Sequence, residues 1–327
     1  MNDEKNKEKS ENEKYVSNYY QGIYVTETIL GNPNGDFIDN SPRNFDGRVF
    51  TTDKCIKYNI RKYLYENGKE VFFFPRRQKR VSPEDAKFLT KESIYKDFFN
   101  SNFEEVLDKC PDVRMFGGTF SFKKSKDGKK ENKQIYGPIQ ISYGVDINDA
   151  QIKRLQIGAP FSTEDGNQTT TGSEAVVDDA VIVYDITINP NNYRGLLKES
   201  DLKLFKEAIW YGTNLRKSTS KKTDSKLLLL IKFKNEGSEN NGEKKTVRAL
   251  NLGELKHLIK VENKDERKRN PSGSKLKIDL SGLSGLLTEY KDYIEAIEII
   301  KANDVECTMG SVGEIHPTTA DSRALLD

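Results

Sequence analysis

The chain has 327 residues, with 53 Lys+Arg against 51 Asp+Glu, and its net charge is only +2. At 35% hydrophobic and 32% charged residues it is poorer in apolar groups and richer in charge than an average globular domain, yet long enough to bury a sizeable core. No apolar run approaches the ~20 residues that span a bilayer, and anionic partners must be read from local clusters rather than from the total charge.

Nine of the first 14 residues are charged, so residues 1–18 are expected to be a solvated tail without the apolar centre of a signal peptide. The three widely spaced cysteines, Cys55, Cys110 and Cys307, offer no zinc spacing or disulfide framework and fit a reducing cytoplasm. Only two histidines exist, His257 and His316, so a histidine-based triad or metal site is poorly supplied.

Gly22 to Leu30 is rich in β-branched and aromatic residues and predicts a strand. The following loop to Phe50 holds three Gly, two Pro, four Asn and three Asp, a composition and length that point to function. Thr52 is expected to cap a helix whose Ile56, Ile60, Tyr63 and Leu64 share a face, while Lys54, Lys57 and Arg61 align as a basic stripe. That stripe is either a solvated face or a rail for phosphates.

An insertion follows at about 68–111. Val71 to Phe74 is a short apolar run, read as packing, ahead of Arg76, Arg77, Lys79 and Arg80. Those cations are a basic rim or a contact to target DNA or a neighbouring subunit. Ser82-Pro83-Glu84-Asp85 reads as a helix start, and Asn102 starts another helix that stops at Cys110-Pro111. Asp112 to Phe122 predicts a strand broken at Gly117-Gly118, with Arg114 on it, and Lys123 to Lys133 a lysine-rich hairpin tip.

Ile139, Ile141, Tyr143, Val145 and Ile147 alternate with Gln140, Ser142, Gly144 and Asp146, the clearest period-2 pattern in the chain. From Asn148 to Asp179 the pattern is lost, and an irregular excursion is expected. Ala180 to Ile188 returns to strand character. Ser200 is expected to cap a helix with Leu202, Phe205, Ile209 and Gly212 on one face. Arg216, Lys217, Ser218, Ser220, Lys221 and Lys222 form a basic, hydroxyl-rich turn suited to phosphate and 2′-hydroxyl contacts, or a flexible linker. Lys226 to Phe233 reads as a central strand. Loops are expected at Asn235–Lys245 and Glu262–Lys275, a helix from Leu283 through Ile297, and a last strand at Val305–Met309.

The strong elements run strand, helix, strand, strand, helix, strand. This is the α+β, ferredoxin-like βαββαβ order shared with the RNA-recognition motif. We expect one domain over 19–327, with insertions at about 68–111 and 148–180 and a C-terminal extension.

The segments GNPNGD (Gly31 to Asp36), NSPRNFDG (Asn40 to Gly47), TTDKCIKYNIRKYL (Thr51 to Leu64), VRMFGG (Val113 to Gly118), GPIQISYG (Gly137 to Gly144) and WYGTNLRKSTSK (Trp210 to Lys221) occur in one order. Together they resemble the backbone subunit of type I CRISPR Cascade surveillance complexes, nearest to subtype I-B. The resemblance implies a modified RNA-recognition fold whose copies polymerise along a crRNA. It also implies a thumb hairpin that displaces guide nucleotides at intervals and leaves the others free to pair with target DNA. Implied partners are further copies of the chain, the large, small and guide-processing or handle-binding Cascade subunits, and a recruited helicase–nuclease.

On this reading the RNA-binding residues are Arg43, Arg48, Lys54, Lys57, Arg61, Arg114, Gln140, Ser142 and the 216–222 turn. Leu155, Ile157 and Phe161 belong to the thumb, as a wedge or a small satellite core. No cofactor or metal and no catalysis are expected. The alternative is a metal-dependent endoribonuclease cutting guide-paired target RNA through the clustered Asp36, Asp39, Asp46 and Asp53. A general single-strand binder is a third option.

Overall fold

The structure, a computed structural model, describes residues 14–76, 87–122, 132–159, 170–235, 250–271 and 273–325. In chain order the strands are β1 (Tyr20–Gly31), β2 (Asn44–Phe45), β3 (Arg48–Thr51), β4 (Gly117–Ser121), β5 (Asn132–Tyr136), β6 (Ile139–Ile141), β7 (Gly144–Asp146), β8 (Ile152–Ala159), β9 (Thr170–Ile188), β10 (Thr223–Phe233), β11 (Lys260–Val261), β12 (Leu276–Asp279), β13 (Ile294–Lys301), β14 (Val305–Thr308) and β15 (Thr318–Asp321). The helices are α1 (Asp53–Glu66), α2 (Lys91–Phe99), α3 (Phe103–Lys109), α4 (Pro111–Phe116), α5 (Glu199–Leu215), α6 (Lys264–Arg269) and α7 (Ser281–Glu289). The chain folds as two compact units. One holds Lys57–Gln140, Thr187–Gly212 and the segment up to Tyr19; the other holds Tyr20–Ile56, Ile141–Ile186 and Thr213–Asp327.

The second unit is built on a large sheet ordered β15-β13-β10-β1-β9-β7-β3-β2, with β6 and β8 also paired to β9. β10 is central because its KLLLLIKF run is apolar on both faces, and it pairs antiparallel with β1 and with β13. Tyr24 and Ser225 share a 2.6 Å hydrogen bond beneath this sheet, and Tyr184 takes the Thr51 hydroxyl. A small sheet, β11-β12-β14, completes the unit.

The first unit closes around Phe72, Ile94, Tyr95, Phe99, Phe103, Val106, Phe120 and Ile135. Thr90 caps α2 by accepting Ser93 N–H, and Asn102 caps α3 by accepting the N–H groups of Glu104 and Glu105. Phe72 and Phe73 pack internally, as expected, and their N–H groups donate to the two oxygens of Asp112 at 2.9 and 3.0 Å. Gly212 lets α5 approach α1, since a Cβ there would lie 2.6 Å from the carbonyl oxygen of Asn59.

Several expectations are corrected. Residues 111–116 are helix, not strand: Pro111 starts a turn in which Val113 and Arg114 N–H groups bond the Cys110 carbonyl. The strand begins only at Gly117, whose φ of +66° turns the chain and whose missing side chain lets Ile135 approach. The period-2 segment breaks at Ser142–Tyr143 into β6 and β7. The stretch expected to be irregular contains the antiparallel β8–β9 ladder, in register from Ile152↔Val177 to Ala159↔Thr170. Its outer part, from Lys153 to Gly158 on one strand and at Gly172 and Ser173 on the other, is exposed on both faces, so no apolar alternation advertises it there, whereas Ala175, Val176 and Val177 are buried at the root.

Ser200 lies inside the first turn of α5 rather than at its cap. The Glu262–Lys275 loop contains α6. The helix expected through Ile297 ends at Glu289, and Ile294 opens β13, because pairing with β10 outweighs the i, i+3 spacing. β14 is followed by β15, parallel to β13. Phe161, Arg77, Lys79, Arg80, Ser82 to Asp85, residues 123–131 of the lysine-rich tip and 236–245 of the next loop lie outside the described residues.

Candidate nucleic-acid interface

Asn34 organises the first loop. Its Oδ1 accepts both the N–H and the hydroxyl of Thr52, at 3.0 and 3.1 Å, so the loop is tied to the residue that precedes α1. Asp36 accepts the N–H groups of Ile38 and Asp39, and Asp39 accepts that of Ser41. The Ser41 N–H holds the Asp39 carboxyl below the usual range. These carboxylates are turn-makers. Arg43 is half-buried, with its guanidinium 5.4 Å from the Phe37 ring. The buried Arg43 Nε and Asn32 Oδ1 take no hydrogen bond among the described residues.

The basic turn packs on this loop. Asn32 N–H donates to the Ser220 carbonyl at 2.7 Å, and Lys221 Nζ donates to the Asn32 carbonyl at 2.9 Å. Ser218 and Lys221 close the turn through two 3.1 Å bonds. Arg216 Nη1 reaches Cys55 Sγ at 3.6 Å, beside the start of α1. Burial lowers the proton affinity of Lys221, and the nearby charge of Arg216 lowers it further. Crowded like charges of this kind are relieved by an anion. Lys217 is the exception, since it pairs with Asp224, just past the acid-free stretch. Lys54 and Lys222 are exposed, as is Arg48 on β3. Arg48 borders a cleft of about 470 Å³ lined by Phe45, Phe50, Tyr143, Lys256 and His257. The first loop, the start of α1 and the 216–222 turn therefore form one cationic edge.

Other expected contacts are used internally. Along α1 the stripe divides: Lys54 is exposed, Lys57 lies 5.5 Å from the Phe116 ring, and Arg61 bonds Asp112 at 3.2 Å between the rings of Phe73 and Phe116. Arg114, expected on a strand, is buried on α4. It forks onto Asp201 with two 2.8 Å bonds and donates to the carbonyls of Leu107 and Asp108. Arg76 is no exposed rim residue: it is buried against Glu70, the Val71 carbonyl and the Phe98 ring. Gln140 donates to the Gly137 carbonyl, and the Ser142 hydroxyl bridges Asp185 N–H and the Tyr143 carbonyl.

On β8, Leu155 and Ile157 project from one face, 43% and 48% exposed. Arg154, on the other face, lies 3.6 Å from Asp39 of the first loop. Sequence reading passed over Phe37 and Ile38, which are 97% and 95% exposed. Their signal was an apolar pair inside a turn-forming loop with no periodic face to bury. Among the described residues no group of three or more His, Cys, Asp or Glu is placed to hold a metal ion, and no helix is long and apolar enough to cross a membrane.

Residues 18–281 match the family described as CRISPR-associated protein Cas7. The chain belongs to the Cas7 family. A CRISPR-associated protein Cas7 of Haloferax volcanii is 22% identical over 321 residues, covering 88% of each chain. A chain of a solved CRISPR RNA-guided surveillance complex matches with a TM-score of 0.51 at 10% identity, over 94% of this chain and 97% of that one, a likeness of fold. The family resemblance carried by the ordered motifs is thus borne out. The Cas7 match encloses every residue of the cationic edge and the whole β8–β9 hairpin.

Proposed function

We propose that the chain is a non-catalytic, crRNA-binding backbone subunit of a type I-B Cascade complex. It polymerises head to tail along the guide and presents guide bases for pairing with target DNA. A heterologous contact whose rotation does not close gives such an open filament. The carrying observation, in a Cas7-family chain, is the convergence of the first loop, the start of α1 and the 216–222 turn into one edge with exposed Lys54 and Lys222. Lysine-rich edges of this kind follow a sugar–phosphate chain without reading its bases.

The sheet order β10-β1-β9-β7 supports a modified RNA-recognition core, and we read residues 19–327 as one domain built around it. We read the β8–β9 hairpin as the thumb, with Leu155 and Ile157 set to wedge against a displaced nucleotide. Partners on this reading are further copies, the large, small and handle-binding Cascade subunits, and a recruited helicase–nuclease, in the cytoplasm. The rival ribonuclease reading gains nothing from Asp36 and Asp39, whose oxygens accept backbone N–H groups.

The test is purified chain mixed with crRNA of increasing spacer length and with unrelated RNA, followed by sizing and electron microscopy. Filaments whose length tracks the guide are expected. A chain that stays monomeric and ignores guide RNA at every salt concentration would overturn the reading. Cleavage of complementary RNA with Mg²⁺ that vanishes in Asp36→Ala would replace it with the ribonuclease.

A further inference from the structure

A two-stranded ribbon has no core of its own and takes its direction from its root. The root of the β8–β9 hairpin carries four aspartates, Asp146, Asp149, Asp178 and Asp179. Asp146 accepts the N–H groups of Asn148, Ala150 and Val181, and Asp178 accepts that of Gln151. Both oxygens of Asp179 face Arg267 of α6, 88 residues downstream. Nε bonds Oδ2 at 2.9 Å and Nη2 bonds Oδ1 at 2.7 Å. The same Nη2 bonds Glu27 of β1 at 2.5 Å, and Glu27 also pairs with Lys226 of β10 at 2.9 Å. Arg267 is 1% exposed. One turn earlier on α6, Lys264 pairs with Asp149 at 2.8 Å. Asn148, beside Asp149, donates to the Asp179 carboxylate and carbonyl, both at 2.9 Å. Two cations of one short helix thus hold both strands of the root, and one of them also holds β1.

We propose that α6 fixes the direction in which the hairpin leaves the sheet, with Arg267 as its positioning residue. The planar fork of arginine is what permits this. One guanidinium holds Asp179 in a bidentate grip and still reaches Glu27, which a lysine ammonium does not reproduce. Without Arg267, two buried carboxylates face each other, with Asn148 left as a donor to Asp179 and Lys226 left as the partner of Glu27. Burial already pushes the Asp179 carboxyl upward, so its place here depends on that partner. The consequence for guide spacing rests on reading this hairpin as the thumb; the positioning itself does not.

The test uses the full chain. Arg267→Met alone leaves buried charge and can unfold the protein, so the working variant is Arg267→Met with Asp179→Asn, which removes the fork and one carboxylate together. Hydrogen exchange of the RNA-free chain is read at the root amides of Ala150, Gln151 and Val181 and at β10 and β13. We expect root exchange to rise by about 10-fold or more while β10 and β13 stay protected. Lys264→Ala should produce a smaller rise at the same amides. Root amides unchanged in the double variant overturn the proposal, as does equal loss of protection in β10 and β13. A second arm maps nuclease protection of bound crRNA. Regular intervals in the natural chain that blur in the variant support the role in guide spacing. No intervals in the natural chain would refute the thumb reading, while the exchange result still decides the positioning role.

Discussion

Arg114 separates a folding role from an RNA role in a single substitution. Its guanidinium is buried on α4 and forks onto Asp201, whose side chain is 3% exposed. Burial disfavours the charge, but the Asp201 hydrogen bonds and the negative charges of Asp201 and Asp108 together outweigh it and raise the pKa further. Arg114→Met leaves Asp201 with one remaining donor, the Lys198 N–H at 3.1 Å, and strips a donor from the Leu107 and Asp108 carbonyls near the end of α3. Removing one partner of a buried pair costs ~3–5 kcal/mol, and the surviving Lys198 bond places this case near the lower end. At a urea slope of about 3 kcal/mol/M, the unfolding midpoint falls by about 1 M. Arg114→Met with Asp201→Asn should recover most of that loss, because no buried charge is then orphaned. RNA binding of the folded variant, titrated against salt, should keep the natural slope. A midpoint that does not move together with a shallower salt slope would refute the reasoning and return Arg114 to the guide groove.

Lys54→Ala, Lys221→Ala and Lys222→Ala combined should reduce the slope of log affinity against log salt by about 2, at roughly 0.7 per phosphate contact. An unchanged slope by filter binding or anisotropy would remove this edge from the RNA path. Leu155→Asp with Ile157→Asp should change the unfolding free energy by no more than about 0.5 kcal/mol, since both side chains are exposed. The same variant should shorten filaments on crRNA, and full-length filaments would exclude the hairpin from assembly. Burial raises the Asp146 carboxyl to about 6 from its ordinary value of 3.8 despite its three N–H donors. The folded state therefore binds a proton that the unfolded chain releases between those values. Stability contributed by this group falls as pH rises from about 4 to about 6, by roughly 3 kcal/mol at 1.36 kcal/mol per unit. Asp146→Asn removes the effect, so the natural chain should lose stability relative to the variant over that window, and a pH-independent difference in urea midpoints would refute the assignment.

Elements announced by their own composition were legible. β1, β10, α1 and the buried face of α5 carry continuous or periodic apolar runs that keep their meaning inside the fold. The first loop and the 216–222 turn stood out as irregular segments because glycine, asparagine and cation content is itself the signal, and the structure packs them against each other. The stretch between β10 and β14 was not. Ile294 and Ile297 share a helical spacing with Leu283 and Leu287, yet a 3-10 turn at Lys291–Tyr293 interrupts them and β10 recruits them into β13. Nothing local distinguishes the two outcomes. The outer β8–β9 ribbon was illegible as strand for the opposite reason: with both of its faces in solvent, backbone pairing leaves no mark on side-chain polarity.

Four arginines are drawn into the fold in a way that one-dimensional reading misses. Arg61, Arg76, Arg114 and Arg267 are drawn inward to Asp112, Glu70, Asp201 and Asp179, whereas Lys54 and Lys222 stay outside. A guanidinium is weakly hydrated and offers a fork that satisfies a carboxylate twice, so it tolerates burial that an ammonium resists. Partners 87 or 88 residues away are invisible along the chain, and each such arginine is easily read as a ligand for RNA. With several arginines spent on the fold, the exposed edge relies more on lysine point charges than on the bidentate contacts that arginine makes to bases. An edge of that kind grips phosphate wherever it lies and is indifferent to sequence, which is what a subunit needs if successive copies are to hold successive, unrelated stretches of one guide.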